Sequence, residues 1–143
     1  MRVVFFAVMF GLLASGCSNM QSLTREKVAT IRKNAPMAEV SSRLEGVRVD
    51  STAQFDLLGI KYTAQGYSLV TGTHMGMTMV CGQYGCIPVS YPVNETSPYV
   101  VLFKGDPPVL MAWGLVDELS KSEDEAVSSL MPRVKDELSK AKK

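Results

Sequence analysis

Cys81 and Cys86 bracket Gly82-Gln83-Tyr84-Gly85, and apolar runs flank this segment on both sides. The pattern restricts the local chain to the end of a hairpin. Two glycines in a four-residue loop supply the backbone angles that a tight reversal needs. With residues 82–85 as the loop, the cysteines stand opposite each other. Cross-strand Cβ separations of about 4.5–5.5 Å are close to bridging distance. The sequence therefore predicts a Cys81–Cys86 disulfide in an oxidising compartment. A zinc pair would need further ligands, and the chain has only three cysteines and one histidine. A thioredoxin-like redox motif has two residues between its cysteines, not four.

The N-terminus supplies the compartment. Residues 1–17 read MRVVFFAVMFGLLASGC, with Arg2 as a basic start and an apolar run from Val3 to Ala14. That run is too short to span a bilayer as a helix, which takes about 20 residues, but it suits a secretory signal. Ala14, Ser15 and Gly16 then lead into Cys17. The segment resembles the lipobox of bacterial lipoproteins, with Ala14 where Leu is usual and Leu13 displaced by one place. A thiol is the nucleophile that takes a diacylglyceryl group, and small side chains let the peptidase reach the bond before it. The resemblance implies a signal peptide over 1–16, lipidation (palmitate among the acyl chains) at Cys17, and a tether over 17–23. Ser18 resembles the sorting default for the outer membrane, so the expected address is its periplasmic face. Acyl chains at Cys17 make membrane lipid the first expected partner.

Composition narrows the rest. The sequence has 143 residues, enough for one domain, expected over 24–143. Lys and Arg total 15 against 14 for Asp and Glu, and loss of Arg2 with the signal makes them equal. Such a balance gives no electrostatic footprint for nucleic acid. A 46% hydrophobic content with 20% charged residues is that of a folded domain.

The order of elements predicts an α+β fold. Thr24 to Asn34 read as a short helix with Val28 and Ile31 inward. A second short helix follows Pro36, with Met37, Val40 and Leu44 on one face and Gly46 at its end. Residues 47–67 are ambiguous, with 54–62 a possible strand. Strands are expected near 68–73, 75–81, 86–91, 99–104 and 109–114, in an antiparallel sheet with a disulfide-stapled hairpin. The last two read as a hairpin around Gly105-Asp106-Pro107-Pro108, and their two-sided apolar character places both at the sheet centre. Pro88 and Pro92 push 86–92 toward an edge. At the C-terminus, Ser122 and Glu125 read as a capping box. Val127, Leu130, Met131, Val134 and Leu138 then form the stripe of a helix either packed on the sheet or offered to a partner, which Pro132 should kink or split.

These elements together resemble the BamE/SmpA-type small outer-membrane lipoproteins. That family's second helix starts near Gly-Met-Thr, has Val four residues later and ends at Leu-Gly. Here Ala35-Pro36-Met37-Ala38 precedes Val40, and Leu44-Glu45-Gly46 closes the helix. The family's late strand pair is similar to 99–114. The hairpin at 75–91 and the C-terminal helix depart from the pattern. The resemblance implies a non-catalytic accessory of outer-membrane protein assembly and envelope integrity, with an envelope protein as partner.

Chemistry-bearing clusters are few. The chain contains no Gly-x-Ser-x-Gly elbow, phosphate loop or dinucleotide fingerprint, and His74 is its single imidazole. Neither enzymatic turnover nor a cofactor is expected. His74-Met75-Gly76-Met77-Thr78-Met79 resembles periplasmic Cu(I) sites in ligand type, which makes a soft-metal binder the alternative reading. Strand alternation argues against it, placing Met75, Met77 and Met79 on one face and His74 on the other. No metal site is therefore assigned. Thioethers about 6–7 Å apart along one strand also need help from a neighbour to hold one ion. The methionine face is expected to pack under the C-terminal helix or against a partner, and Tyr84 at the loop tip is a candidate anchor for that partner.

One outcome tests the address. Cys17→Ser should abolish lipidation and leave an unprocessed precursor on immunoblots of cell fractions. Unchanged processing and membrane fractionation of the variant would contradict the lipobox reading.

Overall fold

The structure, a computed structural model, describes residues 20–142. The expected signal peptide over 1–16 and the lipidation residue Cys17 lie outside the described residues. The elements run α1 (Arg25–Val28), α2 (Met37–Arg43), β1 (Ser51–Leu57), β2 (Ile60–Gly82), β3 (Gly85–Lys104), β4 (Val109–Leu115), α3 (Val116–Ser120) and α4 (Glu125–Ala141). The four strands form one antiparallel sheet in the order β1-β2-β3-β4. The fold is α+β.

Helices cover both faces of the sheet's lower part. On one face, Ala64, Val100 and Leu102 pack with Leu119 of α3 and with Val127, Leu130, Met131, Val134 and Leu138 of α4. On the other, Tyr67, Leu69, Tyr99, Val101 and Phe103 pack with Leu23, Ile31, Ala35, Val40 and Leu44. Successive residues of a strand point to opposite faces, so a strand covered on both sides needs an unbroken apolar run. Tyr99-Val100-Val101-Leu102-Phe103 supplies one, and all five side chains are buried. A register shift between Leu102 and Phe103 leaves Met111 as the extra residue on β4. It sends Leu110 and Ala112 to opposite cores.

Several expectations change. The first helix shrinks to Arg25–Val28, and Ile31 and Ala35 reach the core from irregular chain beyond it. The ambiguous stretch is the β1–β2 hairpin, turning at Leu58-Gly59 with φ of 52° and 77°. The expected strands 68–73 and 75–81 are one strand, β2, and 86–91 and 99–104 are likewise one strand, β3. β4 is an edge strand, not a central one, because nothing follows it in the sheet order. Its two-sided character comes from α3 and α4 on one face and the N-terminal core on the other. The cap of α4 is Asp124, whose Oδ1 accepts from the Ala126 N–H at 3.0 Å, while Ser122 Oγ accepts from the Asp124 N–H. α4 runs through Pro132 as one helical segment. The end of the expected tether belongs to the fold. Gln21 bridges Val47, and the fully buried Leu23 bridges Leu69.

Tyr67 and Tyr99 face each other across β2 and β3, both nearly inaccessible. Burial disfavours the phenolate and pushes Tyr67 up to about 12; burial and the nearby Glu118 carboxylate push Tyr99 further in the same direction. A folded value above the unfolded one leaves stability intact below about pH 10. Stability is then lost as pH rises from there through the folded values. Urea midpoints should therefore fall between pH 9 and pH 12, and less steeply in Tyr67→Phe. An identical alkaline fall in that variant would remove Tyr67 from this account.

Candidate functional site

β2 and β3 outrun the rest of the sheet. β1 covers β2 only from Ile60 to Gly66, and β4 covers β3 only from Tyr99 to Lys104. Leu23 extends the cover on β2: its N–H donates to the Ser68 carbonyl, and its carbonyl accepts from the Val70 N–H. A register shift between Val70 and Gly72 follows. From Gly72 to the tip and back to Glu95 the two strands pair only with each other. At 3.2–3.4 Å per residue, this ribbon reaches about 35 Å beyond the body.

The tip is tighter than the sequence implies. Gly82 and Gly85 pair with each other, so the loop is the two residues Gln83-Tyr84 and not residues 82–85. Gly85 takes φ +119°, a backbone conformation that other residues rarely adopt. The shorter loop still sets Cys81 opposite Cys86, and the disulfide between them is formed.

Register assigns the ribbon's two faces. Residues opposite one another across antiparallel strands share a face. Met75, Met77 and Met79 therefore lie with Pro92, Ser90 and Pro88 on one side. Gly76, Thr78 and Val80 lie with Tyr91, Val89 and Ile87 on the other. Met77 is 73% exposed, and Met75, Met79, Val80, Ile87 and Tyr91 are also exposed. Tyr84 at the tip is 99% exposed. The methionine face does not lie under α4, whose buried side chains join the core of β1, β2 and β3 inside the body. α4 packs where β1 and β4 extend the sheet; the distal ribbon lies beyond that surface.

Within the second face Gly76 has a definite task. A Cβ there would meet Val93 Cγ2 at 2.8 Å and the Tyr91 ring at 3.0 Å. Its absence lets the Tyr91 ring lie across the neighbouring strand, a cross-strand contact that helps hold a ribbon without a core. Near the root His74 Nδ1 lies 3.1 Å from Glu95 Oε1, on the face opposite the methionines. The soft-ligand candidates Met75, Met77 and Met79 are thus kept apart from the imidazole, and prolines and Ser90 are their cross-strand neighbours. Thr73 Oγ1 donates to Asn94 Oδ1 at 3.2 Å and adds a polar clasp there.

The body carries a cleft of about 460 Å³ near the root of the ribbon, with Ser51, Ser68, Tyr99, Lys135 and Ser139 among its walls. Ser51 Oγ is buried and makes no hydrogen bond. The nearby Asp50 carboxylate accepts from Ser68 Oγ at 2.7 Å, and Arg48 stands 3.7 Å away. No hydrogen bond joins Ser51 to a base among the described residues.

The sequence pointed to the disulfide, which is formed, and named Met75, Met77, Met79 and Tyr84, which the structure leaves exposed, but not the second face. The signal was present: Ile87, Val89, Tyr91 and Val93 alternate with period two. No Asp, Glu, Lys or Arg occurs anywhere from Tyr62 to Asn94. No protein-family model matches the chain, and neither does any curated protein or solved structure.

The disulfide makes a local prediction. An uncovered two-stranded ribbon is marginal in water, and closing so short a loop adds on the order of 2 kcal/mol at most. Reduction should speed amide exchange between residues 72 and 95 and leave exchange in β1, β4 and α4 unchanged. Equal loss of protection in arm and body would show that the ribbon is not a separate unit.

Proposed function

We propose that this chain is a non-catalytic, lipid-anchored protein of the bacterial envelope, held at the periplasmic face of the outer membrane through Cys17. It acts there as an adaptor that offers its arm to an envelope protein, as an accessory to outer-membrane protein assembly. The observation that carries this reading is the arm itself. A ribbon with no Asp, Glu, Lys or Arg between Gly72 and Asn94, apolar and exposed on both faces and ending in an exposed tyrosine, has a large unsatisfied apolar surface. Exposed apolar patches beyond a few hundred Å² mark interaction sites in folded proteins. Aromatic side chains such as Tyr84 are frequent anchors of interfaces, and methionines adapt their shape to a partner.

The lipobox residues and the BamE/SmpA-type motifs support the envelope address and the accessory role. An anchor confines the domain to one surface, and confinement raises the effective concentration of neighbours. Weak contacts through the arm then suffice. The root of the arm is fixed by two cores and by Leu23, so its direction is set by the body.

Deletion of the gene should sensitise cells to vancomycin and detergent, and the native gene should restore resistance. Met77→Asp buries a charge in any contact and should restore little or none. Tyr84→Ala should restore only part, consistent with the loss of about 1–2 kcal/mol at an anchor. Full restoration by both variants, or turnover of an envelope substrate by the purified protein, would contradict the adaptor reading.

A further inference from the structure

The arm has two outer edges, and they differ. In a hairpin with a two-residue loop, the residues flanking the loop form a hydrogen-bonded pair, and bonded and non-bonded pairs then alternate. Gly82–Gly85 is that first pair, so Cys81–Cys86, Met79–Pro88, Met77–Ser90, Met75–Pro92 and Thr73–Asn94 are the non-bonded ones. Residues of non-bonded pairs turn their N–H and C=O groups outward. The body supports this assignment. Ser68 and Val70, which bond outward to Leu23, have the opposite parity from Met75, and the irregularity between Val70 and Gly72 makes the switch.

On β3 the outward positions include Pro88, Pro92 and Pro98. Proline has no N–H to offer, and prolines on an edge are a standard protection against strand addition. On β2 the outward positions are Thr73, Met75, Met77, Met79 and Cys81, each with a free donor and acceptor. This edge has no proline and no charge, and among the described residues no segment beyond Leu23 covers it. One edge of the arm is closed and the other is open.

We infer that the open β2 edge, Thr73 to Cys81, pairs antiparallel with the same edge of a second copy of this chain, about a two-fold axis at Met77. Three features select a second copy. The strip is self-complementary: the axis sets Met77 against Met77, Met75 against Met79 and Thr73 against Cys81, every residue with its bonding groups outward. No like charges meet, and even His74 falls opposite Val80. The prolines on β3 block an open edge from adding to a closed one, so the pairing is isologous and stops at two copies. The product is a four-stranded paddle, above the three strands that independent stability requires. Its methionine face runs continuously across both copies.

The pairing stands on the arm's edges alone and does not depend on the lipid anchor or on the adaptor reading. Its test is sedimentation velocity of the full chain, extracted in a nonionic detergent with any free thiol blocked. The native chain should sediment as a dimer at micromolar concentration. Met77→Pro removes an outward donor, as Pro88 and Pro92 do on the other strand, and leaves the β2–β3 hydrogen bonds in place. It should weaken dimerisation by about tenfold or more. Met77→Lys places two like charges across the axis and should do the same without any backbone change. Ser90→Pro, on the closed edge, should leave the dimer within about twofold of native. Retention of the Cys81–Cys86 disulfide, by mass, and an unchanged circular dichroism spectrum certify each fold. A native chain that stays monomeric up to about 100 µM overturns the pairing and means the edge serves a strand of another protein or none. A dimer that survives both Met77 variants also overturns it. Neither result touches complementation by Tyr84→Ala, which lies outside the paired edge and tests the adaptor reading separately.

Discussion

The antiparallel pairing of Ile60–Gly82 with Gly85–Lys104 is the interaction on which the rest of the structure depends. Its lower part is the middle of a covered sheet, and its upper part is a bare ribbon. The same backbone hydrogen bonds serve two different environments. Below Val70, helices on both faces bury the strands, and the side chains are Val100, Val101, Leu102 and Phe103. Above Gly72 no layer of the described residues covers them, and the side chains become methionine, proline, threonine and tyrosine. The register irregularity lies at this boundary. Such irregularities bend a strand and raise its twist, which separates the direction of the arm from that of the sheet.

An uncovered ribbon lacks the face burial that stabilises most sheets. Three local features offset this. The disulfide closes the tip. Gly76 lets Tyr91 lie across the partner strand. The root is continuous with a core that buries Tyr67, Tyr99 and Phe103. None of these explains why the exposed surface is apolar; a solvated ribbon held by the same devices could carry lysine or glutamate on every outward face. Contact with a partner is the reading that gives the apolar surface a purpose.

The Cys81–Cys86 pairing was legible in the sequence because two cysteines around two glycines admit few local geometries, although the loop is two residues long and not four. The packing of the C-terminal helix was legible from its stripe, since Val127, Leu130, Met131, Val134 and Leu138 recur with a helical period. The continuity of β2 was not. The expected strands broke at His74, and Gly66 fell in the stretch read as ambiguous, yet both residues sit within the one strand. Close packing explains the glycines at 66 and 76, where a side chain would strike Ser51 Oγ or Val93 and Tyr91. Edge and centre were confused at β4 because an apolar run reports cover on two faces and says nothing of neighbours in the sheet. The burial of Leu23 was invisible as well, since a lone leucine in a polar stretch has no period.

The central claim is that the arm, and not the body, meets the partner in the envelope. Photo-crosslinking in intact cells tests it most directly, with the reactive residue placed at Met77, Ile87 or Tyr84 of the arm or at Leu58. Leu58 is a fair control because it lies in the body's β1–β2 turn and is 94% exposed. The account predicts discrete adducts with an envelope protein from the arm positions and none from Leu58. Adducts from Leu58 alone, or equal and diffuse labelling from all four positions, would contradict it.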